Sequence, residues 1–178
     1  MKFIIYLLCL IFSLFLQAYD ENDLKTLKKT KKCENCDLTN ANLSKLDLSN
    51  AMLSGANLSL ANLTNTNFFK ADLSYSSLVK SKIYIANLDF ANLEGANLTE
   101  ARLNGASLRG ANLIDATLIS TVLSKSKLDE IILDGANLKY TKFRGADLQK
   151  AKFNGSILSF TDFSAADLTE AEMIALDL

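Results

Sequence analysis

Large apolar residues recur at every fifth position from Leu38 to Leu178 without a slip in register. Of these 29 positions 23 are Leu, and the others are Phe68, Ile83, Phe143, Phe153, Phe163 and Met173. Two residues before each stands a second column, Ala at 17 positions and otherwise mostly Ser or Thr. A period of five excludes an α-helix, which turns about 100° per residue and would set successive Leu roughly 140° apart, leaving no stripe. A single long strand fails as well. Its side chains alternate faces, so an odd repeat sends each Leu to the side opposite its predecessor. The chain must therefore turn once per repeat.

Within a unit the two columns are two residues apart, so a short extended stretch points both inward. The next two residues form a corner, and all seven glycines fall on the second residue after the large apolar one. That place suits the positive φ of a type II turn. Outward positions carry short polar groups such as Asn57, Asn62 and Asn92, which suit turns and solvent. The chain contains no proline, in keeping with strands that each donate N–H groups to a neighbour.

Charge indicates how many repeats close one coil. Residues one coil apart face each other about 4.8 Å apart, where opposite signs are favoured. At a spacing of 20 there are eight opposite-sign pairs, among them Lys80/Glu100, Lys127/Asp147, Lys142/Asp162 and Lys152/Glu172, against the like-signed Lys82/Arg102 and Asp147/Asp167. Spacings of 15 and 25 show no such preference, so four repeats per coil are expected. Two ladders alternate in sign across three coils: Asp89, Arg109, Asp129 and Glu130, Lys150, Glu170.

Runs such as Ala56-Asn57-Leu58-Ser59-Leu60 and Ala91-Asn92-Leu93-Glu94-Gly95 resemble the A(D/N)LXX unit of pentapeptide-repeat proteins, and the resemblance covers residues 36–178. It implies an all-β fold, a right-handed four-sided parallel β-helix with the Leu and Ala columns inside. The repeats then make about seven coils, a rod roughly 35 Å long at ~4.8 Å per coil. Some relatives owe activity to loops that break the register. This chain has no such break between Leu38 and Leu178.

The first residues differ in kind. Lys2 precedes an apolar run from Phe3 to Phe12 and Leu14 to Leu16, closed by Gln17-Ala18. This reads as a signal peptide over 1–18 cut after Ala18, too short for the ~20 residues of a bilayer span. The expected mature protein is exported, periplasmic or secreted, and keeps no stable membrane span. Residues 19–35 then form a capping segment. Acids at Asp20, Glu21 and Asp23 and lysines from Lys25 to Lys32 match the dipole of a short helix that covers the first coil. The lysine run could instead meet an anionic surface, a reading given less weight because the acids dilute its charge.

Cys33 and Cys36 are the two cysteines of the expected mature chain. Zinc usually takes four ligands, and the chain has no histidine and no second pair. A redox motif wants a βαβ context that this sequence lacks. Both cysteines fall in inward register around one corner, so a disulfide that pins the cap to the first coil is expected. Some exported pentapeptide-repeat proteins are similar here, with a cysteine pair leading into a start like Cys36-Asp37-Leu38.

Nothing in this pattern points to catalysis. The usual nucleophile and base arrangements are missing, and no phosphate loop or metal cluster appears, so no enzyme and no cofactor are expected. Asp147 over Asp167 is a pair that could share a proton, but on a convex surface it stands in solvent. Two function classes remain. One is a structural or protein-interaction scaffold of the cell envelope or secreted space. The other is a DNA mimic that protects a topoisomerase, as some pentapeptide-repeat proteins do. A mimic needs a strongly acidic surface, whereas residues 36–178 hold 13 basic and 16 acidic residues. No nucleic-acid partner is expected, and the scaffold is preferred.

Apolar residues at outward positions mark a candidate partner surface. Tyr140 and Phe160 are 20 apart and should stack, close to Ile157. A second group, Phe69, Tyr75, Tyr84, Ile85 and Phe90, rings coils two and three. Contiguous apolar patches on a soluble rod tend to mark contacts. The chain reaches Leu178 in the inward column, so the last coil is expected either to fray or to be covered by a second copy or another protein. Binding is expected through the Tyr140 and Phe160 side together with that end.

Overall fold

The computed structural model describes residues 19–177; the expected signal segment lies outside the described residues. Parallel bridges join residues 20 apart without interruption, from Lys32 with Met52 to Ile157 with Asp177. Four repeats therefore close one coil, as the charge pattern requires. In the first coil the sides run through residues 36–40, 41–45, 46–50 and 51–55; we call them the first to fourth sides, and each recurs every 20 residues.

Each extended stretch is bonded to the coil above and the coil below. Asn57 N–H donates to the Cys36 carbonyl of the coil below at 2.9 Å, and Leu58 N–H donates to the Ser77 carbonyl of the coil above at 2.7 Å. The corner closes where Ala41 N–H donates to the Leu38 carbonyl at 3.0 Å. Its second central residue is left-handed, as Asn40 is at φ 61°, which is the type II signature. Where Asn or Asp precedes the large apolar residue, it serves the corner too. Asn42 Oδ1 accepts from Ser44 N–H at 3.2 Å, and its partner one coil on, Asn62, donates to the same oxygen at 3.3 Å. Met52, Val122, Ile132 and Ile157 stand at the same place in other repeats, where the side chain cannot accept this bond.

The core is a column of Leu side chains from Leu38 to Leu148, fully or almost fully buried beside the Ala column. Where Ser or Thr replaces Ala, its hydroxyl bonds a turn carbonyl: Thr121 Oγ1 to Leu98 at 2.7 Å, and Thr141 Oγ1 to Leu118 at 2.6 Å. No buried side-chain N or O lacks a partner among the described residues. Phe143 and Phe163 stack with centroids 5.3 Å apart, and Phe153 meets Phe143 edge-on across the tube at 6.2 Å.

Helix α1 (Glu21–Thr30) covers the open first coil and buries Leu27. Asp20 caps it, accepting from Asn22 N–H at 2.7 Å, and Lys31 ends it in the left-handed conformation. The cap supplies the two bonds that a lower coil would make. Asp37 N–H donates to Asp23 Oδ2 at 2.8 Å, and Asp20 N–H donates to the Asp37 carbonyl at 3.0 Å. Lys31 Nζ adds an ion pair to Asp47 at 2.9 Å.

Candidate interaction surfaces

The carboxylates of the rod behave as structural groups. Asp147 and Asp167 are ladder partners, yet Asp167 is held below the usual carboxylate range by the Thr169 hydroxyl and N–H, with help from Gln149. These hydrogen bonds are donated to the charged form and account for the displacement. Asp47 is likewise held low, first by Lys31 and then by Ser49. Three of the sequence-spaced charge pairs close as ion pairs: Lys80–Glu100 at 3.5 Å, Arg109–Asp129 at 2.9 Å and Lys152–Glu172 at 3.9 Å. Lys127 with Asp147, and Lys142 with Asp162, are paired in the ladder without closing an ion pair.

Cys33 and Cys36 are bonded across one corner, with Cα atoms 5.3 Å apart. The Cys33 sulfur lies 3.2 Å from the Asp23 carbonyl oxygen, and the Asp23 carboxylate stands within 4.8 Å of both sulfurs. With the sulfurs joined there is no thiolate to ligate a metal, and Asp23 is already engaged by Asp37 N–H.

Tyr140 and Phe160 occupy the corner between the first and second sides. Their rings stack at 5.0 Å and 2° between planes. They are 51% and 77% exposed and both have left-handed backbones, φ 60° and 59°. Ile157 lies half-buried in the strand leading to this corner. Bulky side chains seldom hold that conformation, which costs roughly 1 to 2 kcal/mol per residue. Every non-glycine corner of the rod shares this conformation, so it belongs to the repeat and not to these two rings.

The second group does not form one patch. The corner register places Phe90 between the third and fourth sides, Ile85 between the second and third, and Tyr75 between the fourth and the first. A four-sided coil sends residues five apart to different corners, so nearness in sequence is not contiguity here. Phe69 meets Phe90 edge-on at 5.9 Å, while Tyr84 accepts from Arg102 Nη1 at 3.5 Å. Tyr75 donates to Glu94 at 3.1 Å, which pushes its phenol pKa up.

Two glycines have a purpose that the sequence did not disclose. Corners at non-glycine residues adopt the same positive φ, so φ alone does not demand glycine. A Cβ on Gly95 would stand 2.6 Å from the Tyr75 ring, and one on Gly110 would stand 2.8 Å from the Phe90 ring. The glycine one coil on is the seat of the exposed ring. The signal was present as an aromatic followed 20 residues later by Gly, readable once the coil length is known.

Comparison with known proteins agrees with this architecture. The profile for pentapeptide repeats matches in 8 copies, over residues 32–68, 47–83, 86–124, 118–155 and 146–178. Among solved structures, a trypsin-treated variant of QnrB1, a plasmid-mediated fluoroquinolone resistance protein, is 21% identical, with 80% of this chain and 83% of that chain covered and a TM-score of 0.50. HetL, involved in heterocyst differentiation regulation in the cyanobacterium Nostoc sp. strain PCC 7120, is 25% identical over 83% and 84%, with a TM-score of 0.38. Rfr23 from the cyanobacterium Cyanothece 51142 is 23% identical over 88% and 97%, with a TM-score of 0.31. No curated protein sequence matches the chain. With the repeat profile covering most of a chain that coils once every 20 residues, this protein belongs to the pentapeptide-repeat family and has its right-handed, four-sided β-helix.

Proposed function

We propose that this protein is a non-enzymatic interaction scaffold of the cell envelope or secreted space. Its rigid rod presents the Tyr140 and Phe160 corner, with Ile157 beside it, to a second copy or a protein partner. The observation that carries this reading is the coplanar, exposed ring pair. The likeness to QnrB1 is one of fold. Thirteen cations among 16 anions over residues 36–178 do not reproduce a phosphate field, so DNA mimicry is not adopted.

Two measurements test the proposal. Fractionation of cells, with N-terminal sequencing of the recovered protein, should find the chain outside the cytoplasm and starting near Tyr19. Full-length protein in the cytoplasm would refute export. Sedimentation velocity over rising concentration should show weak self-association that Tyr140→Ser with Phe160→Ser abolishes while circular dichroism stays unchanged. A wild-type chain that stays monomeric and binds no envelope protein would rule the contact out.

A further inference from the structure

The small net charge hides a sorting that appears only when the sequence is wound at 20 residues per coil. The second side and its outer corner carry Lys45, Lys82, Arg102, Lys125, Lys142 and Arg144, with Asp162 as their one anion. The opposite, fourth side of the same coils carries Asp72, Glu94, Asp115, Asp134 and Glu172 against Lys152. All six cations are exposed. None joins an ion pair among the described residues, where the four ion pairs use Lys31, Lys80, Arg109 and Lys152. Lys82 and Arg102 are direct ladder partners of like sign, which is an unfavourable arrangement in a sheet.

From these observations we infer that the second side is a docking surface for a membrane with anionic headgroups. Charge complementarity gives the sign of the partner, and shape selects among anionic partners. The cations spread over a sheet face about 24 Å long, five coil steps of ~4.8 Å. A plane of phosphates can meet all six together, and apolar groups among the cations favour a headgroup boundary over a nucleic acid. The borders add apolar groups. Ile85, 65% exposed, stands on one bounding corner and Phe160 on the other, and Tyr84 lies among the cations against Arg102. Apolar and aromatic side chains interspersed with Lys and Arg suit the headgroup boundary. Each cation near such a surface contributes about a factor of five in binding, and the attraction fades as salt shortens its range. The inference is independent of the partner reading, since it requires the cations of the side and not the ring pair.

Vesicle flotation with the full chain tests it. Vesicles of phosphatidylcholine alone are compared with vesicles also containing phosphatidylglycerol, at low and at raised salt. Wild type should bind the anionic vesicles in a salt-dependent way and the neutral ones far less. The triple variant Lys82→Gln, Arg102→Gln, Lys142→Gln should lose binding by about a hundredfold. The matched variant Lys127→Gln, Lys150→Gln, Lys152→Gln, on the other sides, should lose much less. The inference is overturned if the two triples fall equally, or if removing Lys25, Lys28 and Lys29 from α1 abolishes binding while the second-side triple keeps it. Binding to duplex DNA but not to anionic vesicles would also overturn it.

Discussion

Each position in the pentapeptide answers to a separate physical demand. The large residue fills the tube, the small residue two before it lets the coil close, and the Asn or Asp between them holds the next corner by accepting its N–H. The two inward columns were legible because burial imposes a strict period. The seating of Tyr75 on Gly95 was not, since it joins residues 20 apart and needs the coil length first. Gly95→Ala and Gly155→Ala should separate the two roles of glycine. Both would incur roughly 1 to 2 kcal/mol for a left-handed alanine. Gly95→Ala must also displace a ring 2.6 Å away, whereas a Cβ at Gly155 meets nothing within 4 Å. Urea unfolding should therefore show the larger loss at Gly95, and equal losses would mean that Tyr75 is not held there. Acid tests another residue. Asp47 has a folded pKa below its ordinary 3.8, so its pairing with Lys31 contributes stability above that pH and loses it as pH falls through the lower folded value. Carboxyl titration by NMR should find Asp47 ionised where Asp residues without such partners have taken up a proton, and Lys31→Met should reduce the difference while the Ser49 hydrogen bonds keep part of it.

At the scale of the element, α1 and the corner disulfide act as the lowest coil. The helix was legible from its acid-to-lysine gradient. Its hydrogen-bonded attachment was not, because the acceptor offered by Asp23 to Asp37 N–H comes from side-chain placement rather than composition. Asp23→Ala should cost about 1 to 2 kcal/mol, the loss of one charge-assisted hydrogen bond. Hydrogen exchange should quicken at Asp37 and fade toward the middle of the rod, since each coil touches only its neighbours. Cys33→Ser should act in the same place. The loop it opens is short, so it gives modest chain-entropy stabilisation and its loss frays the first coil without unfolding the tube. Uniform acceleration of exchange along the rod in either variant would contradict this nearest-neighbour picture.

Over the whole molecule, the fold was legible because one short period fixes burial, turn and stacking together. The surface was less so. Exposed apolar residues close in sequence fell on separate corners, while cations scattered through the chain gathered on one side. Both outcomes follow from the same winding, which converts residue number into azimuth. The unbroken register therefore gives insertions and deletions a phase. Removing residues 111–115 leaves every inward column intact, and thermal unfolding should record a stable rod, yet everything after the cut turns by a quarter relative to everything before it. Lys142 would then leave the line of Lys82 and Arg102, and Tyr140 would move to a neighbouring corner. Removing four repeats, 111–130, shortens the rod by one coil and returns Lys142 to the line of Lys82 and Arg102. Change in multiples of twenty conserves a surface that change in multiples of five conserves only as a fold, so length variation in such a protein can rewrite its faces without disturbing its core.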